Sequence, residues 1–288
     1  AIDLSGNNIT ALTGKEFAAF PSLTRLVLSG NKISFSTVEG YQFSGLSQLQ
    51  EIRLDRNGVT DLDREAFRSL ENLYSVHLAG NRLTTVPRRA LQDLPVLRHL
   101  HLQQNGIRAI SEDDFTGLLT LTQLDLRSCR IQSVAADAFS PTPGLAYLGL
   151  RNNSITNIAA GTFAPLSKLE TLHLDNNGLV GLDSGAFSQG SSRLRELYLQ
   201  NNNVITELSS ASLSSLTDLV TLDIADNKLS SISQGAFDQL TNLKGLYLQN
   251  NELTTITGGS FEQLTSLEAV NVSGNPWRCD CNIRGLRD

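Results

Sequence analysis

Two of the four histidines in this 288-residue chain, His99 and His101, lie two positions apart in the stretch LRHLHLQQNGI. Imidazoles at that spacing point the same way from an extended strand, so they could ligate a metal, relay a proton or line a surface that recognises another molecule. His77 and His173 occupy the place of His101 in two further stretches, LYSVHLAGNRL and LETLHLDNNGL. Arg53, Arg127 and Arg151 fall in comparable stretches nearby. Which chemistry is open to these side chains depends on the element that holds them.

That element is a repeat. LTRLVLSGNKI at 23, LQEIRLDRNGV at 49, LYSVHLAGNRL at 73 and LRHLHLQQNGI at 97 share one frame with LTQLDLRSCRI at 121, LAYLGLRNNSI at 145 and LETLHLDNNGL at 169. The frame continues through LRELYLQNNNV at 194, LVTLDIADNKL at 219, LKGLYLQNNEL at 243 and LEAVNVSGNPW at 267, and IDLSGNNI at 2 is a beheaded first copy. Most steps are 24 residues, with one of 26 and two of 25. Fixed periods of this length mark stacked-repeat architectures.

Within each copy the alternating leucines point inward and their neighbours outward. Further apolar positions follow at fixed offsets, for example Ile107, Ile110, Phe115 and Leu118. Each buried apolar side chain contributes roughly 1.5–3 kcal/mol, whereas each ordered backbone residue costs roughly 1–2 kcal/mol. One copy therefore cannot fold alone, and neighbours must share a core as a solenoid.

Two columns run through the repeats. The first is Asn7, Asn31, Asn57, Asn81, Asn105, Cys129, Asn153, Asn177, Asn202, Asn227, Asn251 and Asn275. A carboxamide both donates and accepts, so this ladder is expected to satisfy backbone groups left unpaired where the chain leaves the strand. Cys129 fills the role weakly through its thiol and reads as a buried free cysteine, not a nucleophile. The second column is Phe17, Phe67, Phe115, Phe139, Phe163, Phe187, Phe237 and Phe261, with Phe43 displaced by two positions and Leu91 and Leu213 as smaller substitutes. These rings are expected to stack as a spine behind the strands.

The pattern L-x-x-L-x-L-x-x-N/C-x-L, in frame from end to end, resembles the leucine-rich repeat family in its extracellular 24-residue class. The resemblance implies an α/β-type solenoid, a horseshoe with a parallel concave β-sheet and a convex side of loops and short turns. It also implies a binding module that takes protein ligands on the concave face, in adhesion, signalling or innate recognition. NPWRCDC at 275–281 looks like the start of the family's cysteine-rich C-terminal cap, in which Cys279 and Cys281 would pair with two cysteines further along. A free Cys279–Cys281 stretch or a metal loop is the plainer alternative. The expected organisation is a solenoid over 1–274 and the beginning of a truncated cap over 275–288. Ala1 falls inside a strand position, so the chain reads as a fragment of a larger ectodomain. Sequons at Asn8, Asn152 and Asn271 fit an extracellular glycoprotein.

Composition narrows the classes. A net charge of −6 disfavours nucleic acid, which demands many phosphate contacts. No run of 18 apolar residues spans a membrane. No nucleophile–base set, phosphate loop, cofactor motif or specific metal site can be read, so the protein is expected not to be an enzyme.

With the frame fixed, positions 3, 5 and 7 of each copy face outward with position 8 at the rim. All four histidines fall there, among arginines and tyrosines that favour interfaces. The expected ligand-binding residues are Arg53, His77, His99, His101, Arg127, Tyr147, Arg151 and His173, continued by Tyr198, Asp223 and Tyr247 at a more acidic end. The patch reads as mildly basic, suited to an acidic protein or glycan segment, with binding strengthened below roughly pH 6.5 as imidazoles gain charge. The acidic end could take a basic portion of the same partner. The alternative function is a structural or matrix protein that self-associates as a homodimer through this face; an intracellular inhibitor and a hydrolase stand further back.

Overall fold

A computed structural model of the chain describes residues 1–14, 16–34, 43, 45–181, 185–187, 192–202, 205–256 and 259–278. Cys279 and Cys281, and with them the expected cap, lie outside the described residues. The chain divides into two compact units, Ala1–Ile131 with Ala138–Leu145, and Gln132–Asp137 with Ala146–Asp288.

In the first unit each repeat contributes one short strand to the main sheet, and the order along that sheet is the order in the sequence: Ile2–Asp3, Arg25–Val27, Glu51–Arg53, Ser75–His77, His99–His101 and Gln123–Asp125. All pairs are parallel, with Leu26, Ile52, Val76, Leu100 and Leu124 in continuous register. The second unit repeats the scheme with Tyr147–Gly149, Thr171–His173, Glu196–Tyr198, Thr221–Asp223, Gly245–Tyr247 and Ala269–Asn271. There Leu148, Leu172, Leu197, Leu222, Leu246 and Val270 align. The one-residue insertions that lengthen two steps to 25 leave this register intact, so they are absorbed outside the strands.

The strands are only two or three residues long because a turn follows each at once. The residue before every ladder position has a positive φ: Gly6, Gly30, Gly80 and Gly274, but also Arg56, Gln104, Ser128, Asn152, Asn176, Asn201, Asp226 and Asn250. Non-glycine residues adopt this left-handed conformation at a cost of roughly 1–2 kcal/mol, least for Asn and Asp. The column explains why the rim position is so rich in Gly and Asn, a signal the repeat frame alone did not convey. The turn delivers the next residue to the ladder.

The ladder side chains bond to backbone groups of their own and the preceding repeat. Asn105 Nδ2 donates to the carbonyls of Leu78 at 3.0 Å and Leu102 at 2.8 Å, while its Oδ1 accepts the Leu83 amide at 3.0 Å. Asn31, Asn81, Asn177, Asn202 and Asn251 make the same three-way connection to the preceding repeat. Cys129 keeps only the donor half: its buried Sγ donates to Leu102 O at 3.4 Å. Burial pushes that thiol up to about 11, which leaves it protonated and inert.

Behind the strands the phenylalanines stack in pairs, Phe43–Phe67 at 6.2 Å and Phe115–Phe139 at 6.0 Å in the first unit, Phe163–Phe187 at 5.6 Å and Phe237–Phe261 at 6.0 Å in the second. Leu91 and Leu213, the two smaller substitutes, each end a one-turn α-helix, Arg88–Leu91 and Ser210–Leu213. Two-residue strands at Ala109–Ile110, Ser133–Val134, Glu207–Leu208 and Ser231–Ile232 lie outside the main sheet, and the other described segments are turns and irregular chain.

Candidate ligand-recognition face

The alternation that buries the leucines leaves positions 3, 5 and 7 to build a face from side chains in cross-strand register. In the first unit Glu51, Ser75, His99 and Gln123 form one row, and Arg53, His77, His101 and Asp125 the next. The His77 and His101 rings stack with centroids 4.3 Å apart and planes 11° from parallel. Such a stack turns ring faces to each other and cannot aim two nitrogens at one ion. Among the described residues no three His, Cys, Asp or Glu side chains gather in a way that could hold a metal.

Carboxylates fix this row. Glu51 meets Arg53 Nε at 2.5 Å, Arg25 Nε at 3.1 Å and His77 Nε2 at 3.6 Å. Burial raises the Glu51 carboxyl, but Arg53, Arg25 and His77 outweigh it and hold it below the usual carboxylate range. His77 Nε2 also lies 3.0 Å from Ser75 Oγ. Asp125, 2% exposed, accepts Arg127 Nε at 2.9 Å and a terminal guanidinium nitrogen at 2.6 Å. His99 packs edge-on against Tyr74 at 5.9 Å, at the border of the row.

The second unit has its own set. Asp175 is fully buried and receives Arg151 Nε at 3.0 Å, His173 Nδ1 at 3.3 Å and the side-chain Nδ2 of Asn176 at 2.9 Å. His173 stacks on Tyr198 with centroids 4.4 Å apart and planes 5° from parallel, and Tyr147 tilts against its other side at 5.7 Å. Tyr198 carries the row to Asp223, and Asp223 to Tyr247. Asp175 occupies position 7, which the frame turns outward, yet it is the buried anchor that holds Arg151 and His173. Both sets are preorganised, which lowers the side-chain entropy lost when a partner binds.

The charge of the face differs from the mildly basic patch expected. In the first unit Arg25, Arg53, Arg56 and Arg127 are matched by Asp3, Glu51, Asp55 and Asp125, four against four. In the second, Arg151 stands alone against Asp175, Glu196, Asp223 and Asp226.

The expected histidine switch near pH 6.5 is also corrected for the first unit. Burial, His101 and the Arg53 guanidinium push the His77 imidazole down to about 3, against an ordinary value of 6.5. Burial lowers His99 and His101 as well. These rings therefore act as neutral hydrogen-bonding plates. Since the unfolded chain takes up the His77 proton before the folded one, this contribution to stability is intact above pH 6.5 and is lost as pH falls toward 3. The urea midpoint of the wild type should drop more between about pH 7 and about pH 4.5 than that of His77→Gln; equal drops would contradict the assignment.

The sequons take different places. Asn8 and Asn152 are exposed, the latter at the left-handed rim, whereas Asn271 is half-buried in its strand with Oδ1 engaged by the Ser273 amide and hydroxyl at 3.1 and 2.8 Å.

Comparison with known proteins places this geometry. The family model described as Leucine rich repeat matches residues 47–107, 71–131, 119–179, 167–229 and 217–276. No curated protein sequence matches the chain. Among solved structures, a chain of the octameric complex of Latrophilin 3, Unc5D and FLRT2 (LRR) is 26% identical with a TM-score of 0.77, covering 99% of this chain and 87% of that one. The TLR13–ssRNA13 complex gives 26% identity and a TM-score of 0.70 over 96% of this chain and 46% of that one. The ectodomain of the Arabidopsis thaliana membrane receptor kinase GASSHO1/SCHENGEN3, in complex with Casparian strip integrity factor 2, gives 25% and 0.65 over 96% and 36%. The chain thus spans less than half the length of the last two.

Proposed function

Because the chain belongs to the leucine-rich repeat family, we propose that it is a non-enzymatic, extracellular protein-binding module whose ligand docks on the concave sheet face, in a receptor ectodomain or a secreted recognition or adhesion protein. The observation that carries this reading is the pair of locked side-chain sets, Glu51–Arg53–His77–His101 and Arg151–Asp175–His173–Tyr198, on the outward rows of the two units. Rigid Tyr, His and Arg side chains present large contact area with polar tips, the composition that favours binding hot spots. Neighbours found in complexes, one of them an ectodomain, support the same reading. The exposed sequons Asn8 and Asn152 support the extracellular compartment.

Selection against a displayed library of secreted and cell-surface proteins provides the test. A selected ligand should lose at least about tenfold in affinity with His173→Ala or Tyr198→Ala, a hot-spot cost of about 1.4 kcal/mol or more. It should be unaffected by Lys168→Ala, which lies outside the strands. Light scattering of the chain alone should give a monomer; a dimer disrupted by the same two variants would favour self-association instead.

A further inference from the structure

The outward rows of the second unit carry three negative charges in excess, one Arg against four acids, and the single Arg151 is already committed to Asp175. Of the other three acids, Glu196 accepts the Thr171 and Tyr198 hydroxyls and Asp226 accepts Asn250 Nδ2, whereas among the described residues no side-chain donor reaches Asp223. It stands in cross-strand register between Tyr198 and Tyr247. Its Oδ1 accepts the Ala225 amide at 3.0 Å, and none of the ion pairs among the described residues includes it. Burial, with Asp175 and Asp226 close by, pushes its carboxyl above the ordinary range, as expected for a half-desolvated anion without a counterion.

The surroundings of Asp223 are built from aromatic rings and acceptors. Tyr198 has one ring face on His173, so its other face looks toward the strand that carries Asp223. The Tyr247 ring is laid over Gly245, 3.2 Å from where a Cβ would sit, so a larger residue there would press on the ring. Two residues along the same face, Gln200 Oε1 and Gln249 Oε1 are shielded from solvent and have no hydrogen-bond partner. Between those two strands position 7 is Ala225, which offers no polar group to meet them. Unpaired buried acceptors destabilise the face until a donor arrives.

We propose that Tyr198, Asp223 and Tyr247 form a receptor for an arginine side chain of the protein ligand, with Gln200 and Gln249 as further acceptors. This rests on the reading of the sheet face as the recognition surface and names the chemistry it takes in the second unit. A guanidinium fits where an ammonium fits less well: it stacks flat on tyrosine, pairs in fork geometry with a carboxylate and has five N–H donors for the remaining acceptors.

The probe is Ac-Gly-Gly-Arg-Gly-Gly-amide, titrated into the full chain by NMR, beside its citrulline and lysine counterparts. The arginine peptide should bind at least about fivefold more tightly than either, since citrulline keeps the shape without the charge. Asp223→Asn, which retains the acceptor for Ala225, and Tyr247→Leu should each weaken it at least about fivefold with an unchanged melting temperature. Asp238→Asn, away from the strands, should not. Equal binding of the citrulline or lysine peptide, retention of affinity in Asp223→Asn and Tyr247→Leu, or an equal loss in Asp238→Asn would overturn the proposal. If the peptide fails while His173→Ala still releases a selected protein ligand, only the arginine receptor falls; if both fail, the recognition face falls with it.

Discussion

Asn105→Ala should lower the stability of the protein by about 3–5 kcal/mol, read as a fall in the urea midpoint. The carboxamide serves three buried backbone groups at once, donating to Leu78 O and Leu102 O and accepting from Leu83 N. Alanine removes all three partners, and with Asn105 only 6% exposed, water has little access to replace them. An orphaned buried group costs about 1–3 kcal/mol, and the three costs overlap, which sets the range. Asn7 is the control: it donates to Leu4 O and Ser5 O, but it is exposed, so solvent takes over and Asn7→Ala should cost less than about 1 kcal/mol. Similar small losses at both positions would mean that the ladder is decorative.

Gly117→Ala should cost about 3–5 kcal/mol through two separable effects. Gly117 has φ +87°, where an L side chain is strained, and a Cβ there would collide with the Gln92 carbonyl oxygen, with Gln92 C at 3.1 Å and Cα at 3.3 Å behind it. All three obstructing atoms belong to backbone, so no rotamer change relieves the contact. Gly161 isolates the first effect: its φ is +80°, yet nothing lies within 4 Å of the added carbon. Gly161→Ala should therefore cost only about 1–2 kcal/mol. Equal melting-temperature losses in the two variants would contradict the close approach of Gln92 to Gly117.

What could be read beforehand was whatever repeats. The strand leucines, the Asn ladder and the Phe column recur at fixed offsets, so each copy corroborates the others, and the structure has them where the frame puts them. The left-handed rim was within reach, since Gly6, Gly30, Gly80 and Gly274 share it with four asparagines. Arg56, Gln104 and Ser128 interrupt the column and mimic ordinary exposed residues, which hides it in the sequence. The one-turn helices at Leu91 and Leu213 follow the loss of Phe, but a single substituted residue gives no helical period to detect.

The candidate face was legible as a list of residues and not as an electrostatic object. Register put His77 beside His101 and His173 beside Tyr198, and both pairs stack. Whether Asp125 and Asp175 reach outward or fold under Arg127 and Arg151 depends on rotamers chosen by neighbours two residues or one repeat away. No single stretch encodes that choice. Those acids neutralise the arginines, and burial strips His77 of its proton, so the charge and pH response of the face are not legible from a list of its residues.

The central claim is that recognition is confined to the outward sheet rows, and an alanine scan against one selected protein ligand measures it most directly. Substitutions at Arg53, His101, Tyr147, His173 and Tyr247 should include the largest affinity losses, with at least two of about tenfold or more. Substitutions off the strands, at Lys168, Asp238 and Glu262, should stay within about twofold of the wild type. Losses of equal size from both groups, or losses only from the off-strand group, would contradict the account.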